Sequence, residues 1–334
     1  MDSPQLDELD RCLAHAFQVD GRVPFSRLAE VLGVSDQTVA RRYHRLRSTG
    51  VLRVVGVPEV TKLGRVVWLL RVRCMPDAAG AIATALARRD DTAWVCLTSG
   101  GTEIACYTSA PRQEADEGLL LGQLPRTPRV VSVTAHRLLR RFAGGPTGWP
   151  GRASALSAEQ VAALTDGAGS GFDAGAGVSG SSPVTPRLEP GDDALFTALS
   201  QDGRASLATL AAASGRSETT VRRRLHHLRT SGALYFDVEV DAALLGASLS
   251  ALLWLSVTPS RLDAIAREVS TYAEVALVAA TTGPTNLAVT VGCTDDDALY
   301  DFLATRLGAL PGIHQVETAP MIRTIKRSGS WTGT

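Results

Sequence analysis

The sequence predicts an α+β protein built from two copies of one two-part unit, each a winged helix-turn-helix domain followed by a ferredoxin-like β-α-β-β-α-β domain. Three observations carry this expectation. First, "DGRVPFSRLAEVLGVSDQTVARRYHRLRSTGVL" returns without a gap, 182 residues later, as "DGRASLATLAAASGRSETTVRRRLHHLRTSGAL". Second, Leu63-Gly64 aligns with Leu245-Gly246, and after one inserted residue Pro76 aligns with Pro259 and Gly100 with Gly283. Third, within each copy the apolar spacing changes from helical to strand-like at about the same place.

The elements follow in order. "LDELDRCLAHAF" places Leu6, Leu9, Leu13 and Phe17 on one helical face. "PFSRLAEVLG" spaces Phe25, Leu28, Ala29 and Leu32 the same way, opens at Pro24 and stops at Gly33. After the tight "GVS" turn, Val39, Tyr43 and Leu46 face inward on a helix over Ser35–Thr49, with Ser35 as N-cap and Gly50 as terminator. Two helices joined in this way form a helix-turn-helix. The outward face of the second helix carries Gln37, Arg41, His44, Arg45 and Ser48, flanked by Thr38 and Arg42, and no acid occurs between Gln37 and Pro58. In the second copy Thr219, Arg223, His226, His227 and Thr230 point outward, Arg222 and Arg224 flank them, and Val221, Leu225 and Leu228 face inward.

The second part of each copy opens with an apolar strand (Val67–Val72; Leu252–Val257) and a helix ("PDAAGAIATALARR"; "SRLDAIAREVSTY"). Two strands around the turns "TSGGTEIACYT" and "TTGPTNLAVTV" come next, then another helix and a last strand ("RVVSVTAHRLL"; "HQVETAPMIRT"). This order gives an antiparallel sheet with helices on one side. The uncovered face calls for a second such sheet, which the duplication supplies. The expected boundaries are residues 1–60 and 191–243 for the helix-turn-helix domains, 61–143 and 244–328 for the sheet domains, a linker over 144–190 and a tail over 329–334. The linker is Gly/Ala/Ser-rich and reads as flexible, with a reach of roughly 35–40 Å. Inside it, "SAEQVAAL" has the makings of a short helix capped by Ser157.

Composition narrows the function classes. The 34 basic and 34 acidic residues cancel, which argues against indiscriminate coating of nucleic acid and leaves room for a local basic face. In duplex recognition arginines neutralise phosphates, while the first turns of a helix meet base edges in the major groove. Gln37, Thr38, Arg41, Thr219, Thr220 and Arg223 are therefore the base-reading candidates. Arg42, Arg45, Arg222 and Arg224 are the phosphate candidates, and Ser35 is the cap that sets the first turn. The five cysteines are scattered and show no C-x-x-C spacing, so they read as small core hydrophobes. "GAGVSG" over Gly175–Gly180 fits a dinucleotide fingerprint in letters only, since neither strand nor amphipathic helix flanks it. His136 and His314 read as surface or edge residues. No catalytic constellation, metal site or cofactor is implied. The acidic N-terminus and the absence of a long apolar run point to a cytoplasmic protein without a membrane partner.

The sequence resembles the leucine-responsive regulatory protein/AsnC family of transcription factors over nearly everything outside the linker. The resemblance rests on the Asp20–Leu52 stretch and its repeat, on "TKLG", and on the glycine turns at Gly100 and Gly283. It implies a regulator that binds double-stranded DNA, with each chain standing in for a dimer and assembling further, as a homo-oligomer, through the ferredoxin-like domains. It also implies an amino-acid or other small effector near Gly100, Gly101, Thr102 and Glu103, and near Gly283, Thr285 and Asn286. Where the family usually has an aromatic residue and an aspartate after the glycine, this chain reads "GGTE" and "GPTN". Siroheme decarboxylases share the two-part unit, but their resemblance would require histidine- and arginine-rich sheet motifs, and "AWVCLTSG" and "VALVAATTG" contain neither residue. A metabolite sensor that does not bind DNA is the other alternative.

Overall fold

The structure is a computed structural model that describes residues 6–111, 123–149, 155–165 and 186–330. The chain folds into two compact units, one of residues 1–63 with 145–246, the other of 64–144 with 247–334. Like parts of the two copies thus fold together.

In the first unit, copy one supplies α1 (Glu8–Val19), α2 (Phe25–Leu32), α3 (Asp36–Ser48) and β1 (Leu52–Pro58). Copy two supplies α6 (Asp192–Gln201), α7 (Leu207–Ser214), α8 (Glu218–Thr230) and β6 (Leu234–Val240). The caps form where the sequence signals them. The Ser35 and Ser217 hydroxyls accept from the amides of Thr38 and Thr220, each at 3.2 Å. Gly33 ends α2 with a left-handed φ of 68°. Leu13, Phe17, Leu28, Val39, Tyr43 and Leu46 are buried in one core, and Leu195, Leu199, Leu210, Val221, Leu225 and Leu228 in the equivalent one.

The two domains meet about an approximate two-fold axis. β1 and β6 pair antiparallel with Val55 opposite Asp237, positions one repeat length apart, so the ribbon is symmetric in register. Arg22 donates to the carbonyls of Gly203 and Ala205 at 2.7 and 2.9 Å. Arg204, its repeat equivalent, donates to those of Gly21 and Val23 at 2.8 and 3.0 Å. Arg47 pairs with Asp202 and, reciprocally, Arg229 with Asp20. The repeated "DGR" needs its glycine: a Cβ on Gly21 would lie 2.5 Å from Phe236 Cβ, and one on Gly203 would lie 2.8 Å from the Val55 carbonyl carbon.

The expectation of a flexible linker over 144–190 is corrected in part. Residues 158–165 form α5 (Ala158–Thr165), packed against copy one, with Leu156 and Leu164 buried in its core. Ser157 and Gln160 cap the helix reciprocally, at 2.9 and 3.2 Å. The Leu156 amide donates to His15 Nδ1 at 3.0 Å, and Arg27 donates to the Ala163 carbonyl at 2.8 Å. The apolar residues of this short segment, sparse in the sequence, suffice because a buried surface already exists for them to cover. The "GAGVSG" stretch lies outside the described residues.

The second unit contains both sheets. Copy one gives β2 (Arg65–Cys74), α4 (Pro76–Ala87), β3 (Thr92–Thr98), β4 (Glu103–Pro111) and β5 (Val130–Ala143). Copy two gives β7 (Leu249–Val257), α9 (Leu262–Val269), β8 (Val275–Thr281), β9 (Leu287–Cys293), α10 (Asp296–Asp301), which continues as a π turn to Leu307, and β10 (Ile313–Lys326). The second helix expected in copy one falls on residues 112–122, outside those described. Each sheet has the ferredoxin-like order, β5-β2-β4-β3 and β10-β7-β9-β8, and the two close into one barrel through β5·β8 and β10·β3. The 14-residue strands make this possible. The first part of β5 pairs with β2 and its end, from Leu138, pairs with β8; β10 does the same with β7 and then β3. The inner faces meet at Leu69, Ala105, Leu252, Trp254, Ala288 and Ala319.

Candidate nucleic-acid interface and effector turns

The outward faces of α3 and α8 are assembled by the spacing that buries Val39, Tyr43 and Leu46 and their counterparts. Gln37, Arg41, His44 and Ser48 are exposed on α3, and Thr219, Arg222, Arg223, His226 and His227 on α8. Thr38 and Thr220 are half-buried, each with its hydroxyl 2.9 Å from that of the capping serine. Among the described residues no ion pair engages Arg41, Arg222 or Arg223.

Two of the four phosphate candidates, Arg42 and Arg224, are placed differently, and a third, Arg45, is exposed but ion-paired. Arg42 binds the carboxylates of Asp7 and Asp10, and Arg45 reaches Asp10 at 2.5 Å. Arg224 is buried and holds Asp192 at 2.5 Å and Glu189 at 2.8 Å. Arg45 stays 53% exposed and Arg222 is exposed as expected. The physical reason lies in the helix itself: Arg42 follows Val39 by three residues and precedes Leu46 by four, so it belongs to the inward rows rather than the outer face. Asp10 and Asp192 are each 1% exposed, and their arginines fasten the recognition helix to the first helix of its domain. Burial pushes the Asp192 carboxyl up, but Arg224 and the Glu189 amide hold it below its ordinary value, and Arg42 does the same for Asp7. The sequence contains the signal, since Asp10–Arg42 and Asp192–Arg224 have the same separation in both copies.

The effector turns also differ from expectation. Gly100 and Gly101 adopt left-handed φ values of 70° and 83°, and an added Cβ on either meets nothing within 4 Å. The Thr102 hydroxyl donates to the Ser99 carbonyl. Glu103, expected beside the effector, is instead 2% exposed and bound to Arg71 at 2.9 Å. The Asn286 side chain accepts from the Val257 amide and donates to its carbonyl, at 2.9 and 2.8 Å, so it pins β9 to β7. Thr285 is buried. Gly283 lies against His136: a Cβ there would come within 2.7 Å of His136 Nδ1.

His136, read as a surface or edge residue, is 1% exposed inside the barrel, while His314 is exposed as expected. The His136 ring lies 4.7 Å from that of Trp254, and the Arg71 guanidinium sits 4.7 Å over the same indole. Arg71 also binds Glu317 on β10. Sequence reading missed this group because its members come from four strands of two copies. Burial depresses the His136 pKa, against the opposing pull of its bond to the Thr282 carbonyl, and burial likewise depresses that of His15. Unfolded, both imidazoles bind protons nearer the ordinary 6.5. Below that value the unfolded chain therefore takes up more protons than the folded one, and stability falls as the pH drops. The urea midpoint is expected to be lower at about pH 5.5 than at about pH 7.5, with the difference reduced in a His15→Gln, His136→Gln variant. An unchanged difference in that variant would assign the acid sensitivity to other groups.

Comparison with known proteins agrees with the local geometry. The AsnC-type helix-turn-helix domain matches residues 6–47 and again 191–229, and the Lrp/AsnC ligand binding domain matches residues 250–331. The HTH-type transcriptional regulator FL11 of Pyrococcus horikoshii is 28% identical over 142 residues, 42% of this chain and 93% of that protein. The HTH-type transcriptional regulator LrpA of the same organism is 23% identical over 140 residues, 42% of this chain and 99% of that one. The crystal structure of the siroheme decarboxylase NirDL superposes with a TM-score of 0.63 at 12% identity, covering 98% of this chain and 95% of that one. At that identity the likeness is one of fold. The five cysteines are free, four of them buried, and no cluster of potential metal ligands occurs among the described residues. Nor is any described helix long and apolar enough to cross a membrane.

Proposed function

Since the chain belongs to the leucine-responsive regulatory protein/AsnC family, with homologues that are transcriptional regulators, we propose that it is a sequence-specific DNA-binding regulator carrying both half-site readers in one polypeptide. The observation that carries this reading is the pair of exposed helix faces, α3 and α8, fixed about an approximate two-fold axis by β1·β6 and the reciprocal Arg22 and Arg204 bonds. Such a pair suits two half-sites in inverted orientation, one turn of duplex apart, about 10 bp, or a multiple of it. The two faces differ, Gln37 against Thr219 and Arg45 against His227, so the half-sites differ in sequence. Gln37, Thr38, Arg41, Thr219, Thr220 and Arg223 read bases. Arg222 contacts phosphate, joined by Arg45 when it exchanges Asp10 for DNA.

The sheet unit is the ligand-responsive part, a small metabolite such as an amino acid being the effector, and further assembly of chains proceeds through it. The protein is assigned to the cytoplasm and given no enzymatic role: its relatives are regulators, and β3 and β8 contain neither histidine nor arginine. The test is selection of genomic fragments on the purified protein, followed by titration of an enriched fragment. Arg41→Ala should weaken specific binding by about 1–3 kcal/mol and relax one half-site. Asp10→Asn should raise affinity for all sequences and steepen the salt dependence, because it frees Arg45. Enrichment of no fragment would overturn the DNA-binding reading in favour of a sensor acting through protein contacts.

A further inference from the structure

We propose that the barrel interior holds one binding site for a small carboxylate bearing a second, hydrogen-donating substituent, a 2-amino or 2-hydroxy acid, and that Glu317 is the built-in stand-in for that carboxylate on Arg71. The inference rests on the ligand-responsive reading of the sheet unit and locates the site away from the glycine turns.

Arg71 is 13% exposed and carries two carboxylates of different character. Glu103 is buried and bound through Nε and Nη2 at 3.2 and 2.9 Å. Glu317, from the other copy, occupies the remaining edge through both of its oxygens and is itself 41% exposed. A fork of five N–H donors recognises any carboxylate of this geometry. Exchanging Glu317 for a ligand carboxylate is therefore nearly neutral for the guanidinium, and its neighbours decide the balance. Two of them have polar atoms with no hydrogen-bond partner although they are sealed from solvent: Trp254 Nε1 and His136 Nε2. A buried polar group left unpaired costs about 1–3 kcal/mol. The His136 tautomer follows from its surroundings: the Thr282 carbonyl, 2.8 Å from Nδ1, can only accept, so Nδ1 holds the proton and Nε2 presents a lone pair. The indole N–H thus asks for an acceptor beside Arg71, and the imidazole, stacked on the same indole, asks for a donor. A carboxylate with an adjacent ammonium or hydroxyl supplies both.

The site is single because the copies differ at every position that builds it. Arg71 corresponds in the repeat to Trp254, Glu103 to Asn286 and His136 to Ala319. A mirrored second site would have no guanidinium.

The test is isothermal titration of the full chain with the proteinogenic L-amino acids, their 2-hydroxy counterparts, and the amines left by removing the carboxyl group. At least one acid should bind at one equivalent per chain, and its matching amine should not. Glu317→Gln removes the internal competitor and should tighten that binding about fivefold, since apparent affinity scales with the fraction of competent sites. A merely structural Glu317 would not give this gain. Arg71→Gln should abolish binding, with a thermal melt confirming that the variant folds; His136→Phe, which keeps the stacking and removes the acceptor, should weaken it about tenfold. Binding of no acid, binding of two equivalents, or a Glu317→Gln affinity equal to or below that of the parent overturns the proposal. An acid that binds with this signature and leaves operator affinity unchanged sinks the effector reading while the site stands. An acid that alters operator affinity but binds the Glu317 variant no better sinks the site alone.

Discussion

Arg224→Ala is expected to lower the stability of the first unit by about 3–5 kcal/mol, the usual cost of removing one partner of a buried ion pair. Asp192 would be left 1% exposed, its charge met by Arg216 at 3.1 Å and by the Glu189 amide at 2.8 Å but no longer by a bidentate partner. The equivalent Arg42→Ala should cost less, since Arg42 is 26% exposed and Asp10 retains Arg45. Urea denaturation of the two variants checks the order, and the combination Arg224→Met, Asp192→Leu should recover most of the loss by removing both charges. If Arg224→Ala melts like the parent, Asp192 and Arg224 do not fasten α8 to α6. The loss should also reach DNA binding, because α8 bears the second set of base-reading side chains and the Arg224–Asp192 pair ties it to α6.

The second large effect is expected from Arg204→Ala. Its guanidinium lies 5.0, 4.6 and 5.4 Å from the rings of Phe17, Phe25 and Tyr43, and it donates to two backbone carbonyls of the other copy. Loss of a desolvated cation–π contact, about 2 kcal/mol, and of two hydrogen bonds from a charged donor, about 1.5 kcal/mol or more each, gives an expected destabilisation of about 4 kcal/mol after partial relaxation. Arg204→Lys should recover little of it, because an ammonium cannot reach both carbonyls in the fork geometry. The functional consequence is specific: affinity for a fragment with both half-sites should approach that for a single half-site, since joint binding depends on the two readers being held at a fixed separation. Binding curves on fragments with one and two half-sites measure this. A variant that loses stability yet keeps the two-site advantage would show that some other contact sets the separation.

Much of this architecture was legible. Periodicity and caps located α1–α3 and, through the repeat, α7 and α8, since each of these helices has a Ser, Asp or Pro cap and an apolar row that ends at glycine or with the helix. The strand order of each half followed from its run of apolar segments. What sequence concealed was how the copies engage. "DGR" was visible as part of the repeat, but that Arg22 and Arg204 each cap the other copy's loop needs two residues 182 apart to be placed together. Barrel closure was hidden for a similar reason: nothing local says that the end of β5 leaves β2 to join β8. Among candidate site residues, those on the outermost rows of the recognition helices were placed correctly because helical geometry fixes them. Arg42 and Arg224 were not, because a long side chain on an inward row was credited with the direction of its charge rather than that of its Cβ.

The meeting of Arg71 with Trp254 has an evolutionary meaning. Between identical subunits every substitution occurs on both sides of the axis, so an arginine at this point would confront another arginine and a tryptophan another tryptophan. Joining the two copies in one gene releases each position from its twin, and the centre of the barrel becomes the place where unlike chemistries can be tried against each other.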